Sequence, residues 1–336
     1  MTEPLFTVLI DTYNYGQFIE EAVRSALEQG FPAECVEVLV VDDGSTDDTA
    51  ERLGKFGDKI RYLRKENGGQ ASAFNLGLAQ ARGKFVALLD ADDAWLPGKL
   101  KRMHRALMEQ PEAGMAYHRL YEWKEDGSVG EGGHFAAISG RMTESRRALL
   151  SYPMMQTSCL VFRRAALADL LPIPEGLRTQ ADAYLTALII FICPVAAVDE
   201  FLGKYRVHGG NLFHVQGGGT NARQLENRIA MRELLVREVR KWLRKHGRDT
   251  EAPEIADYLK QWRKMLEVDR FALRAPGRWE YFLHLAEYPR VYGEWMSQRH
   301  VAFSYLRALA GLALGYRGIY RFDRAYERRR RAKASE

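Results

Sequence analysis

Three features of the 336-residue chain predict an α/β fold, a doubly wound and mostly parallel sheet with helices on both faces. Short runs of Val, Ile, Leu and Phe alternate with helically spaced apolar segments through roughly the first hundred residues. Three of the apolar runs end in polar, acid-bearing loops, which a parallel sheet places on one edge. Beyond Gln216 the composition turns basic, aromatic and helical, so a helical C-terminal extension follows the sheet.

The elements follow in order. Phe6 to Ile10 reads as a first strand that ends at Asp11-Thr12-Tyr13-Asn14-Tyr15-Gly16. Phe18, Ile19, Ala22, Val23, Ala26 and Leu27 recur at helical spacing, and Gly30 with Pro32 stops that helix. Val36 to Val41 is a second strand. Its end, Asp42-Asp43-Gly44-Ser45-Thr46-Asp47, is a turn that caps a helix reaching about Leu53. Ile60 to Leu63 is a short third strand, Asn67 to Gln70 a loop, and Ala71 to Ala81 a helix closed by Gly83. Phe85 to Leu89 is a buried strand that runs into Asp90, Asp92 and Asp93. A helix over Leu100 to Met108 leads to a strand from Gly114 to Trp123. Ser158 to Phe162 reads as a later strand, Ala181 to Cys193 as an apolar helix, and Ala196 to Tyr205 contains a last short strand. Gln216-Gly-Gly-Gly-Thr220 marks a linker. The predicted division is a domain over 1–215, with halves meeting near 104 and 105, and an extension over 216–336.

Hydrophobic residues make up 46% and charged residues 28%, which is ordinary globular composition, and the net charge of +5 is modest. Cys35, Cys159 and Cys193 are widely spaced and form no C-x-x-C pair, so a reducing, cytoplasmic setting is expected. The N-terminus lacks the order of a signal peptide, and no apolar run of spanning length is found. A dinucleotide site needs G-x-G-x-x-G after the first strand, and Asp11 to Gly16 does not supply it. A P-loop fails as well, because Gly83-Lys84 is followed by Phe85.

Asp90 and Asp92 flank a single residue and can reach a common point. Two close carboxylates repel unless one is protonated or a cation joins them. A hard divalent ion with a diphosphate would satisfy both charges, whereas a solvated acidic loop is the plainer alternative.

Four segments, taken together, carry a resemblance: Val8 to Tyr15, Val40 to Asp47, Glu66 to Gln70 and Leu89 to Asp93. In order and spacing they resemble the motifs of family 2 glycosyltransferases with the GT-A fold, over about Leu5 to Asn211. The resemblance implies an inverting transfer from a nucleotide-diphosphate sugar to an acceptor hydroxyl, with Mn2+ or Mg2+. It implies donor contacts at Thr12, Tyr13, Asn14, Asp42, Asp43, Asn67, Gly69, Gln70, Asp90 and Ala91, with Asp92 and Asp90 on the metal. Lys204 to Asn211 is similar to the family's closing Tyr-Arg-x-His segment, which adds Arg206 and His208. Gln180-Ala-Asp182 is similar to its Glu-Asp motif, which makes Asp182 the candidate general base. Asp182 would also suit the start of a helix, where the dipole favours an acid.

The sequence departs from the family pattern at Asp11, where Pro is usual, at Phe74, where Arg is usual, and at Ala181, where Glu is usual. A non-catalytic GT-A protein acting as a membrane-surface or assembly component is therefore the competing reading. The expected role is polysaccharide, glycan or glycolipid synthesis, with a glycan or lipid-linked acceptor and no nucleic acid. Residues 301–333 mix aromatic and aliphatic residues with many arginines, which suits peripheral contact with the inner membrane face. A helix packed on the catalytic domain or a partner chain explains the same composition.

Overall fold

The computed structural model describes residues 3–132, 137–144, 155–209, 211 and 222–274, and the isolated positions 302, 305, 306, 309 and 313. The first half alternates as expected: β1 (Phe6–Thr12), α1 (Gly16–Leu27), β2 (Val36–Asp42), α2 (Thr49–Gly54), β3 (Arg61–Arg64), α3 (Gln70–Gln80) and β4 (Phe85–Asp90). Then come β5 (Ala94–Trp95), α4 (Lys99–Glu109), β6 (Met115–Lys124), β7 (Val129–Glu131) and β8 (Leu160–Arg163). The described chain continues with α5 (Ala181–Ile189), β9 (Val195–Val207), α6 (Ala222–Lys245) and α7 (Pro253–Arg274).

The described strands form one nine-stranded sheet in the order β3-β2-β1-β4-β8-β6-β9-β5, with β7 beside β6. Strands β3, β2, β1 and β4 are parallel. Strand β8 runs antiparallel to both β4 and β6, and β6 is parallel to β9. The sheet is thus mixed, with its parallel half in the first ninety residues.

Side chains alternate across the parallel half, as a pleated strand requires. Phe6, Val8, Ile10, Phe85, Ala87 and Leu89 face one core, packed by Ile19 and Val23 of α1 and Leu100 and Met103 of α4. Leu9, Leu39, Val86 and Leu88 face the other, packed by Phe74 of α3 and Leu185 and Ile189 of α5. Leu9 and Leu88 stand opposite one another in register and are fully buried. Truncating either to Ala would cost about 2–5 kcal/mol.

Several elements differ from the sequence reading for local reasons. Strand β1 continues through Asp11 and Thr12, because Asp11 pairs with Asp90 and Thr12 with Asp42. Ladder hydrogen bonds on both sides outweigh the low strand propensity of Asp. The helix expected over 181–193 ends at Ile189, a short turn carries the chain to Cys193, and Pro194 disfavours further helix. Residues 157–159 form a 3-10 turn ahead of β8. Strand β5 is two residues long, too short to show a period.

One compact unit comprises residues 1–211 and 230–263. Within it, Leu235, Val239, Trp242 and Leu243 of α6 and Tyr258, Leu259 and Trp262 of α7 extend the core that holds α5. The Tyr258 hydroxyl donates to the Ala187 carbonyl at 2.9 Å, and Trp242 Nε1 donates to the Asp169 carbonyl at 2.9 Å. A second unit comprises 212–229 and 264–336. Among its described residues Tyr305, Leu306 and Leu309 are helical and exposed. The 216–220 linker, most of the 301–322 segment and the basic run at 328–333 lie outside the described residues.

Candidate active site

The site lies where β1, β2 and β4 end. Register alone sets Asp11 beside Asp90 and Thr12 beside Asp42 at that edge. The three loops that follow are then tied to one another. The Asn14 amide donates to Ser45 Oγ at 2.9 Å, and Asn14 Oδ1 accepts from the Thr46 amide at 2.7 Å. Asn14 adopts a left-handed φ of 58°, which Asn tolerates better than most residues. Tyr13 beside it is 45% exposed, with its ring available for stacking.

Asp42 and Asp43 do separate jobs, and neither caps α2. Buried Asp42 accepts from the Ser45 amide at 2.7 Å and from the Tyr62 hydroxyl at 2.6 Å. Asp43 accepts from the Gly68 and Gly69 amides at 2.9 and 2.6 Å and from Lys65 Nζ at 2.8 Å. Asp47 serves the α2 terminus, accepting from the Thr49 amide at 3.1 Å, and reaches back to the Gly16 amide at 2.9 Å.

The loop from Asn67 to Gln70 joins the two halves of the site. Gln70 N donates to the Arg178 carbonyl at 2.8 Å, and Gln70 Oε1 accepts from the Ala181 amide at 3.0 Å. Asn67 Oδ1 accepts from the Arg178 guanidinium. Gly69 has φ +87°, and a Cβ there would fall 2.5 Å from Arg178 Cα. Only glycine permits both the turn and the close approach. These contacts fix the start of α5, where Asp182 lies in the first turn and accepts from Thr157 Oγ1 at 3.2 Å.

Asp90, Asp92 and Asp93 each offer a carboxylate oxygen within 4.8 Å of the others. Asp93 is committed, since it accepts from Ser158 Oγ at 2.6 Å and from the Arg206 amide at 2.8 Å. Asp92 Oδ2 lies 2.9 Å from His208 Nε2. Arg206 Nε donates to the Asp92 carbonyl at 2.8 Å, with its guanidinium 3.7 Å from the centre of the Trp123 ring. Arg206 also pairs with Glu21. The closing segment therefore reaches the acid loop directly. Ala91, by contrast, is buried in the α1–α4 core.

Negative charge is concentrated here and only partly offset, by Lys65 on Asp43 and by Arg206 and His208 at the acid loop. Burial, then the carboxylates of Asp11, Asp93, Asp92 and Asp182, hold Asp90 well above the usual carboxylate range. Asp93 is raised chiefly by burial and by Asp92, against its bonds to Ser158 and Arg206. Asp11 is pushed up to about 7 by burial, with Asp182, Asp92 and Asp43 adding to the effect. Asp182 is raised by burial, against the Ala183 amide and Thr157. Asp11 Oδ1, Thr12 Oγ1 and both amide atoms of Gln180 are buried without hydrogen-bond partners. Hard oxygen donors crowded until they resist ionisation fit a divalent cation.

Residues 7–171 match the model of Glycosyl transferase family 2. This segment is a glycosyltransferase family 2 domain. An uncharacterized glycosyltransferase of Nostoc sp. is 32% identical over 216 residues, 61% of this chain and 65% of that protein. One from Rickettsia conorii is 29% identical over 62% of this chain and 34% of its own length. The chain thus spans less than two thirds of either relative. The fold of the chain is GT-A. S. aureus TarS 1–349 in complex with UDP-GlcNAc superposes with a TM-score of 0.61 at 20% identity, covering 95% of this chain and 91% of that one. The mannosyltransferase PcManGT from Pyrobaculum calidifontis, in complex with GDP-Man and Mn2+, has a TM-score of 0.53 at 21% identity, over 94% and 83% of the two chains.

Among the family's departures, Phe74 is fully buried core, so this position fills space between α3 and the sheet. Sequence reasoning passed over Ser158, Tyr62, Thr157 and Arg178. Ser158 reads from sequence only as the start of a strand, and Thr157 lies just before it. The other two stand in ordinary strand and loop contexts and gain their partners through tertiary contact.

Proposed function

We propose that the chain is an inverting glycosyltransferase that moves a sugar from a nucleotide-diphosphate sugar to an acceptor hydroxyl. One observation carries the reading. The end of β4 and the loop after it bring three carboxylate oxygens within 4.8 Å of one another, and α5 turns a further acid, Asp182, into the same electrostatic neighbourhood. Thr12, Tyr13, Asn14 and Asp42 would hold the nucleoside, with Tyr13 stacking on the base. Asn67, Gly69, Gln70 and Asp43 form the loop that would meet the donor, and Asp90 with the Ala91 backbone would face its ribose and diphosphate. Asp92 and Asp90 would hold Mn2+ or Mg2+, which supplies charge stabilisation for the departing diphosphate. His208 and Arg206 orient Asp92 and close the site over it.

Asp182 is the base in this scheme. A sugar hydroxyl is a weak nucleophile and must lose its proton as it attacks. Burial raises the proton affinity of Asp182, and the Thr157 hydrogen bond holds its carboxylate in place. The other candidate acids in this half are Glu175, which is exposed, and Asp199, which is paired at 2.6 Å with Arg119 and 63% exposed.

The relatives' names and the bound UDP-GlcNAc, GDP-Man and Mn2+ of the structural neighbours support the donor class and metal. The acceptor is a glycan or lipid-linked glycan, and the setting is polysaccharide, glycan or glycolipid synthesis at the cytoplasmic face of a membrane. No helix among the described residues is long and apolar enough to cross a membrane. Exposed Tyr305, Leu306 and Leu309 fit peripheral contact by the extension. Sedimentation with anionic liposomes checks that contact.

The deciding experiment is titration of UDP and GDP with and without Mn2+, in wild type and Asp92→Ala. Nucleotide affinity should rise with Mn2+ in wild type alone. Equal affinity in every case would refute the metal assignment.

A further inference from the structure

Helix α6 has two faces of opposite character within the 230–263 segment. Leu235, Val239, Trp242 and Leu243 recur at helical spacing and are buried in the core. Arg237, Arg240, Lys241 and Arg244 recur at the same spacing on another face and, with Arg263 of α7, line a groove of about 430 Å³. Val236 and Glu233 complete its wall. Arg237, Lys241 and Arg244 have side chains 71%, 77% and 61% exposed, so their charge is accessible. The helix that presents them is anchored by its apolar face.

The acids nearby do not neutralise this face. Glu238 lies 3.4 Å from Arg237 and 3.5 Å from Lys241. Glu251 lies 3.7 Å from Arg240 and 3.8 Å from Arg244. Each acid is shared by two cations; Glu251 is 73% exposed, whereas Glu238 is largely buried under two cations that are themselves exposed, and single long-range pairs of this kind leave each cation free to take a second partner. Counting Glu233 as well, five cations meet three acids. Buried Nε of Arg240 has no hydrogen-bond partner. Guanidinium groups bind phosphate oxygens in pairs, and four line this groove.

We infer that the groove between α6 and α7 is a second anion site that binds a molecule carrying adjacent phosphate groups, apart from the donor site at the sheet edge. Soluble oligophosphates and phosphate-bearing lipid headgroups share that chemistry. The inference stands whether or not the chain transfers sugar, because none of the groove residues belongs to the proposed donor or base machinery.

The test is calorimetric titration with sodium tripolyphosphate in EDTA, so that no cation recruits it to Asp90 and Asp92. Wild type should bind saturably, with affinity falling as salt is raised. R240Q/R244Q and R237Q/K241Q should each lose tenfold or more. Melting temperatures report whether each variant folds. The second pair is highly exposed and keeps the test usable if the first unfolds. A parallel arm measures flotation with vesicles containing phosphatidylinositol 4,5-bisphosphate, whose headgroup carries adjacent phosphates, with and without tripolyphosphate. Vesicle binding displaced by tripolyphosphate and lost in the variants identifies a lipid headgroup, and tripolyphosphate binding without flotation identifies a soluble ligand. Absence of saturable tripolyphosphate binding by wild type, or undiminished affinity in a folded variant, overturns the inference.

Discussion

Replacing Asp11 by Asn should stabilise the metal-free protein, and more so as pH rises. The Asp11 carboxyl is raised from 3.8 to about 7, first by burial and then by Asp182, Asp92 and Asp43. A carboxyl with a raised folded pKa leaves stability untouched below its unfolded value. The cost of ionising it begins near pH 4 and is complete above about pH 7. Three units at 1.36 kcal/mol each set a ceiling of about 4 kcal/mol, of which about 3 kcal/mol develops between pH 4.5 and 8. Asn is nearly isosteric and never ionises, so it removes this cost. A domain of 150–250 residues gains about 2–4 °C per kcal/mol, so the advantage should grow by several degrees over that interval. The assay is thermal unfolding of wild type and Asp11→Asn in EDTA at both pH values. Adding Mn2+ with UDP should shrink the difference, since a cation offsets the crowded charge. An advantage of equal size at both pH values would refute the electrostatic account of Asp11.

Three further outcomes follow from the same geometry. Asp182→Asn should leave donor affinity nearly unchanged while transfer falls by about three powers of ten or more, measured as kcat against KM; transfer within a few-fold of wild type would remove Asp182 as the base. Because burial raises Asp182, the acid limb of kcat/KM should lie above the ordinary carboxylate range and vanish in that variant. Gly69→Ala should cost more than about 1–2 kcal/mol, since the left-handed turn alone carries that penalty and the new Cβ meets the Arg178 backbone; a melting curve measures it.

Much of the donor half was legible in the chain, and the reason is physical. A buried parallel strand must be a continuous apolar run, and its end must break where polar residues begin, so Phe85 to Asp90 declares both itself and its edge. The acids at 42, 90 and 92 could be placed together because a parallel sheet aligns strand ends. What was not legible depends on pairing between distant segments. Nothing near Asp43 indicates that its two oxygens hold the Gly68 and Gly69 amides. Ser158 looks like any strand-initiating serine until its hydroxyl is seen between Asp93 and the Asp90 amide. The length of β9 was hidden for a similar reason, since its middle residues are only partly buried and show no clean alternation. Asp11 was read as a departure at the end of a strand, whereas the ladder with Asp90 carries it inside.

The grip on α5 has a consequence for how far the catalytic unit extends. The helix is held at its start by Gln70 and near its end by Tyr258, whose hydroxyl reaches the Ala187 carbonyl. Donor loop and base are thereby coupled to one short rod, and that rod's apolar flank is roofed by α6 and α7. A polypeptide stopped at residue 215 would keep every residue of the proposed chemistry yet leave Leu185, Leu188 and Ile189 without the side chains that now extend their core. Such a fragment would have to recruit another cover, and two copies meeting through that bare flank is the simplest one available. The shortest version of this molecule that keeps that flank covered by its own chain should run past Trp262.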